Sequence, residues 1–97
     1  MDARLKVVAR IRATPDCGDR LEGEMKRLVA DTRREAGCLQ YDLYRGTEDR
    51  AVFVFVEEWE SQALWRAHME GAALGAFNAR ISGMIAEAEI LQLGRVV

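Results

Sequence analysis

Histidine occurs once in this chain, at His68, and cysteine twice, at Cys17 and Cys38. These three residues are scattered, and no His and Cys cluster of the kind that holds zinc or iron–sulfur groups can be drawn from them, so no resident metal is expected. One cysteine falls near a predicted helix start and the other near a predicted strand start. With no export signal ahead of them, they read as reduced thiols rather than as a disulfide. Positive charge is not in surplus either. Lys and Arg number 14 against 16 Asp and Glu, for a net charge of −2. Phosphate backbones and anionic membrane surfaces both select for a basic face, so neither nucleic acid nor a lipid surface is an expected partner. No apolar run approaches the roughly 20 residues of a membrane span. The opening "MDARLKVVAR" interleaves charge with its apolar residues, unlike a secretory leader. Together these absences point to the cytoplasm. There is also no Gly-rich phosphate loop and no GxSxG. An enzyme built from this sequence is expected to work without a bound metal or nucleotide cofactor.

What is present is a globular composition. Of 97 residues, 49% are hydrophobic and 31% charged, the profile of a folded chain rather than a disordered one. A chain of this length buries roughly 60–70% of its unfolded surface, which suffices for one core, so residues 1–97 are expected to form one domain.

The periodicity changes along the chain in a fixed order. In residues 4–13, Leu5, Val7, Ala9, Ile11 and Ala13 alternate with Lys6, Val8, Arg10 and Arg12, as in a strand. "TPDCG" breaks it, with Thr14 or Asp16 able to cap a helix and Pro15 suited to a helix start. Over residues 19–36 the spacing is helical: Leu21, Met25, Leu28, Val29 and Thr32 form one stripe, and Gly37 closes the segment. Residues 38–45 and 51–59 read as two strands joined through "GTEDR" as a hairpin. Ser61 is a cap for a short helix reaching about Glu70, and Gly71 breaks it. Leu74, Phe77, Ile81, Met84 and Ile85 mark a second helical piece, and residues 87–97 a last strand. The order is βαββαβ. It predicts an α+β, ferredoxin-like antiparallel sheet with its helices on one face.

The third strand is apolar on both sides, with Phe53, Phe55, Glu57 and Trp59 on one and Val52, Val54 and Val56 on the other. Two helices cover one face of a four-stranded sheet, and an apolar patch of several hundred Å² is rarely left wet. A second copy of the chain is the simplest cover, so a homodimer is expected.

The richest chemistry lies in "EEWESQALWRAHME", residues 57–70, which holds both tryptophans and the lone histidine. Glu57 and Trp59, two apart on a strand, point the same way. Leu64, Trp65 and His68 share one face of the short helix, opposite Gln62, Arg66 and Glu70, so His68 points inward. Tyr41 and Tyr44 have opposite parity, and the hairpin register that decides which of them faces Glu57 is not written in the sequence. A histidine tuned by a carboxylate and walled by aromatic rings suits proton transfer on a flat apolar substrate. The same spacing also describes a satisfied His–Glu pair in an aromatic core, and spacing alone favours that plainer reading. Glu58, Glu60, Arg10, Arg12, Arg33 and Arg34 read as solvated, and Cys38 as buried and inert.

"TRREAGCLQYDLYR" followed by "FVFVEEWESQALWRAHME" resembles the antibiotic biosynthesis monooxygenase (ABM) domain family, through Glu35, Gly37, Cys38 and Tyr41, then Glu57 and Trp59, then the helix ending at His68, with Leu74 and Phe77 beyond. The resemblance spans nearly the whole chain. It implies a ferredoxin-like fold that dimerises through its sheets into a dimeric α/β barrel, with a pocket between sheet and helices. It further implies oxidation of a quinol-like or aromatic phenolic small molecule by O2 with no metal or flavin. His68 would be the base or its relay, Glu57 would orient it, and Trp59, Trp65, Tyr41 and Phe77 would line the pocket. Similar proteins degrade haem using an Asn on the first strand, which "LKVVARI" lacks. Others isomerise a small phosphorylated metabolite. An isomerase or lyase on an anion would turn Arg10, Arg12, Arg33 or Arg34 into the pocket. A non-catalytic binding module would close the core around His68.

Overall fold

The computed structural model describes residues 4–97. Its elements are β1 (Leu5–Ala13), α1 (Gly18–Thr32), β2 (Cys38–Arg45), β3 (Val52–Trp59), α2 (Gln62–Met69), α3 (Ala72–Arg80) and β4 (Ile85–Leu93). The four strands form one antiparallel sheet in the order β2-β3-β1-β4. This is the expected ferredoxin-like arrangement, its second helical layer divided between α2 and α3. Among the described residues no helix is long and apolar enough to cross a membrane.

Register decides what faces the helices. Glu57 of β3 lies opposite Val7 of β1 and Tyr41 of β2; Phe55 lies opposite Ala9 and Leu43, and Phe53 opposite Ile11 and Arg45. Residues directly across a ladder share a face, so Val7, Ala9, Ile11, Phe53, Phe55, Glu57, Trp59 and Tyr41 form one buried layer. Onto it α1 lays Leu21, Met25, Leu28, Val29 and Thr32, the stripe its spacing predicts. Tyr44, the other parity, is 58% exposed. The open face of the sheet carries Val8, Val54, Val56, Tyr44 and Leu91, bordered by Lys6, Arg10, Arg12, Asp42, Glu58 and Glu89.

Three boundaries differ from expectation. The helix α1 ends at Thr32 rather than near residue 36. Beyond it the backbone tightens, with Arg34 N–H bonding to Asp31 C=O and Glu35 N–H to Thr32 C=O, while Arg33 reaches away to the Tyr41 carbonyl at 3.0 Å. Ala36 is the one apolar residue that follows Thr32 on the stripe, and Gly37 at φ 81° turns the chain directly after it. At the other end, Ile85 belongs to β4, not to a helix. Gly83 at φ 82° turns the chain, and Ile85 pairs with Ala13 across an irregularity in the ladder. The last strand stops at Leu93.

Two joints set the short helices. The Ser61 side chain accepts from the Leu64 N–H at 3.2 Å and starts α2, as expected of that residue. Gly37 has φ 81°, and a Cβ there would lie 2.5 Å from Leu64 Cδ1. Only glycine meets both demands at low cost. The turn after α1 thereby packs directly on α2, and Glu60 N–H bonds to Gly37 C=O at 2.9 Å.

Candidate active site

Between the sheet and the short helices lies a cavity of about 200 Å³. Its walls are mostly apolar: Ala9 and Ile11 of β1, Leu28 of α1, Phe55 of β3, Leu74 and Phe77 of α3, and Ile85, Ala88 and Ile90 of β4. Tyr41, Glu57, His68 and Asn78 supply its polar groups, with Met69 beside them. Strand parity puts Glu57 and Tyr41 side by side on the floor, and the inward stripe of α2 puts His68 above them.

Glu57 is 4% exposed. Its Oε1 accepts from Trp59 Nε1 at 3.0 Å. No Lys or Arg forms an ion pair with it among the described residues. An ionised carboxylate in apolar surroundings is costly, so burial pushes the Glu57 carboxyl up to about 7, the indole hydrogen bond pulling the other way. Beside it, burial and then the charge of Glu57 push the Tyr41 phenol upward, so Tyr41 keeps its proton and can donate it in a hydrogen bond.

His68 is 3% exposed. Its Nδ1 lies 2.8 Å from Glu35 Oε1. Its ring stacks on Trp59 at 4.8 Å between centroids and 30° between planes, with the Tyr41 ring edge-on at 5.5 Å. An ionised Glu35 would accept from an Nδ1–H, and the neutral ring would then present Nε2 as an acceptor.

Of the six residues singled out from the sequence, four line this cavity: His68, Glu57, Tyr41 and Phe77. Trp59 and Trp65 do not. Trp59 pairs with Leu5 and Cys38 near the end of the sheet, where it is fully buried behind Glu57 and His68. Trp65 is buried one turn nearer the start of α2. The carboxylate that holds His68 is Glu35, not Glu57, whose hydrogen bond goes to Trp59 instead. Glu35 arrives from the tight turn after α1, a placement no local spacing predicts. Asn78 and Met69 were also missed as wall residues. Asn78 follows Leu74 by four on α3, a spacing that could have found it.

The arginines of the anion-binding alternative do not enter. Arg12 pairs with Asp49 at 2.9 Å, Arg33 with Asp42 at 2.9 Å and Arg34 with Asp31 at 2.8 Å, while Arg10 is exposed on the open face. No lysine or arginine lines the cavity. Cys17 and Cys38 are free thiols, and burial pushes the Cys38 thiol up, which disfavours the reactive thiolate.

The sequence profile described as antibiotic biosynthesis monooxygenase matches residues 4–80, from β1 to the end of α3. A Bacillus subtilis protein named "Putative monooxygenase YcnE" is 32% identical over 72 residues, covering 74% of this chain and 76% of its own. The crystal structure of PA3566 from Pseudomonas aeruginosa superposes with a TM-score of 0.93 at 34% identity, covering 100% of this chain and 98% of that one. A crystal structure described as an antibiotic biosynthesis monooxygenase gives a TM-score of 0.89 at 29% identity, over 96% of this chain and 99% of its own. The chain belongs to the antibiotic biosynthesis monooxygenase family.

Proposed function

We propose that this protein is a cofactor-independent monooxygenase that oxidises a small quinol-like or phenolic aromatic compound with O2. The observation that carries this reading is a carboxyl with a pKa of about 7 and a histidine on the walls of one apolar cavity. General acid–base groups work best when their pKa lies near the working pH. Apolar walls exclude water from a reactive anion. Family membership supports the same class of reaction. Size narrows the substrate. The cavity, at about 200 Å³, falls below the roughly 300–1,000 Å³ of sites for drug-sized ligands. We therefore favour one- or two-ring quinols over three-ring anthrones.

In this mechanism Nε2 of His68 takes a hydroxyl proton from the quinol. Glu57 and Tyr41 hydrogen-bond the oxygens of the bound molecule. The electron-rich anion passes one electron to O2, and the radical pair collapses to a hydroperoxide at a ring carbon. Return of the proton completes the hydroperoxide, and loss of the C–H proton from the same ring carbon breaks the O–O bond, so that one oxygen atom leaves as water with that second proton and the other stays on the ring. The products are a hydroxyquinone and one water. The four electrons that O2 accepts come from hydroxylation of one C–H and oxidation of the quinol to the quinone. The substrate and O2 supply the redox chemistry, and the protein moves one proton and keeps the site dry.

Two further expectations belong to this reading. A second copy would cover the apolar open face around Val8, Val54 and Val56, and sedimentation equilibrium is expected to return twice the chain mass. Cytoplasmic residence would keep Cys17 and Cys38 as thiols. A closed, non-catalytic core would leave no cavity beside His68, and an isomerase for anions would need a cation in its walls.

The test is dissolved-oxygen uptake by metal-stripped protein with a panel of one- and two-ring hydroquinones. Uptake above the spontaneous rate is expected, falling on the order of 10²-fold in His68→Ala if His68 is the base. Absence of uptake across the panel would overturn the reading, and full activity in His68→Ala would remove His68 from the mechanism.

A further inference from the structure

His68 forms part of two walls. On one side it lines the inner cavity with Glu57. On the other it lines an outer depression of about 280 Å³ with Glu35, Ala36, Leu64, Ala67 and Gly71. The Glu35 side chain is 26% exposed there, and its Oε1 holds Nδ1 of the ring at 2.8 Å. The inner carboxylate does not make this bond; its hydrogen bond is to Trp59 Nε1. We propose that Glu35 is the positioning residue of the site: from the outer depression it keeps the His68 proton on Nδ1, aims Nε2 into the inner cavity and holds the imidazolium that forms when Nε2 takes the substrate proton.

The proposal rests on the base role given to His68 above. Its proton balance is closed. Nε2 gains the quinol proton, the Nδ1 proton stays shared with Glu35, and Nε2 returns its proton to the departing oxygen, whose second proton comes from the ring C–H. Glu35 is neither consumed nor required to enter the cavity. Its place outside also allows proton exchange with solvent through the depression without wetting the inner cavity. The backbone is arranged to keep it there. Gly37, two residues on, packs on Leu64 and fixes the turn against α2. Gly71 leaves its α-carbon bare beside the Ala67 and His68 carbonyls, where a Cβ would come within 3.2 and 3.3 Å.

The lone histidine makes the test direct, because every imidazole resonance belongs to His68. Side-chain 15N shifts recorded above the ring's titration report which nitrogen carries the proton. Wild type is expected to show Nδ1–H. Glu35→Ala is expected to show a mixture of tautomers, and Glu35→Asp a partial return to Nδ1–H. With a quinol that the wild type turns over, Glu35→Ala and Glu35→Gln should lower kcat on the order of 10²-fold with KM little changed, as for an orienting carboxylate. Formate, small enough to enter the outer depression, should restore part of the Glu35→Ala rate, saturably, and leave wild type unaffected.

Retention of the Nδ1–H tautomer in Glu35→Ala overturns the proposal, as does a wild-type rate in that variant. A slow Glu35→Ala that neither formate nor Glu35→Asp improves also overturns it, since the loss would then be one of folding. The 15N measurement needs no substrate. If the wild type consumes no oxygen, the oxygenase reading fails by itself and the tautomer still decides whether Glu35 positions the ring.

Discussion

Glu57 and Glu35 stand on opposite sides of one histidine, and their surroundings make them different reagents. Glu57 sits on the sheet floor, walled by Phe55, Leu74 and Phe77, with an indole N–H as its only hydrogen-bond donor among the described residues. Burial holds its carboxyl near 7. Glu35 sits on a turn at the surface, partly in water, with the imidazole as its partner. The first is a group that can carry or release a proton at neutral pH among apolar walls. The second is a fixed acceptor that orients a neighbour. In the mechanism proposed above, these two carboxylates would divide the work of acid–base chemistry, and what sets them apart is solvent access rather than residue type.

The sharpest way to break the comparison is to titrate stability. A carboxyl that is raised in the folded state binds its proton to higher pH than the unfolded chain does. The folded state then holds more protons between the ordinary value of 4.5 and about 7. Stability from this group is fully present below pH 4.5, falls as pH rises through 7, and is level above that. The span corresponds to on the order of 3 kcal/mol. Glu57→Gln abolishes this slope, so in urea unfolding the variant should gain on wild type from pH 5 through about pH 7 and hold that gain to pH 9. Asp19, Glu24, Asp42 and Asp49 are held low by arginine partners or hydrogen bonds. Their slopes fall at lower pH and cancel between the two proteins. Parallel curves for wild type and Glu57→Gln would show that Glu57 is an ordinary carboxylate.

The outer side is broken by a backbone change. Gly37→Ala asks an L residue to hold φ 81° and drives a Cβ into Leu64. Strain of this kind costs about 1–3 kcal/mol. The turn should shift away from α2 and carry Glu35 off His68. The expected result is a lower urea midpoint and a lower kcat, with the pH slope of Glu57 intact. A variant that lost the Glu57 slope as well would show that the two sides form one unit.

This asymmetry also explains how much could be read from residues alone. The face of β1, the stripe of α1 and the two-sided β3 follow from periods of 2 and 3.6, and all three stand in the structure as the periods require. Ser61 and Gly71 mark real joints of α2 and α3. The inner half of the site was legible for the same reason: Glu57 and His68 each follow from a local period. Tyr41 was half legible, because its partner across the sheet depends on a six-residue loop and on an irregularity between Cys38 and Gln40. The outer half was not legible as chemistry. Glu35 and His68 are 33 residues apart, and their meeting depends on where α1 stops and on the packing of Gly37 against Leu64. Trp59 shows the limit of parity. Parity places it on the face of Glu57, yet its position at the strand end makes it a donor behind the cavity rather than a wall.

Trp59→Phe gives the finest test, because it changes one donor while keeping an aromatic ring. The indole N–H is the one cause that lowers the Glu57 pKa, against burial, which raises it. Without it the pKa should climb further, by about one unit, or roughly 1.4 kcal/mol. The smaller ring also leaves a gap in a fully buried site, which costs stability at every pH. The two effects separate by pH. At pH 5 Glu57 is protonated in both folded proteins, so the stability difference there is packing alone. At pH 9 it is ionised in both, and the difference grows by the value of the lost hydrogen bond to the carboxylate. In turnover, the pH limb set by Glu57 should move to higher pH by the same unit, while the Glu35–His68 contact and its Nδ1–H signal stay as in wild type. A difference that is equal at pH 5 and pH 9 would mean that Trp59 only fills space and that burial alone sets Glu57.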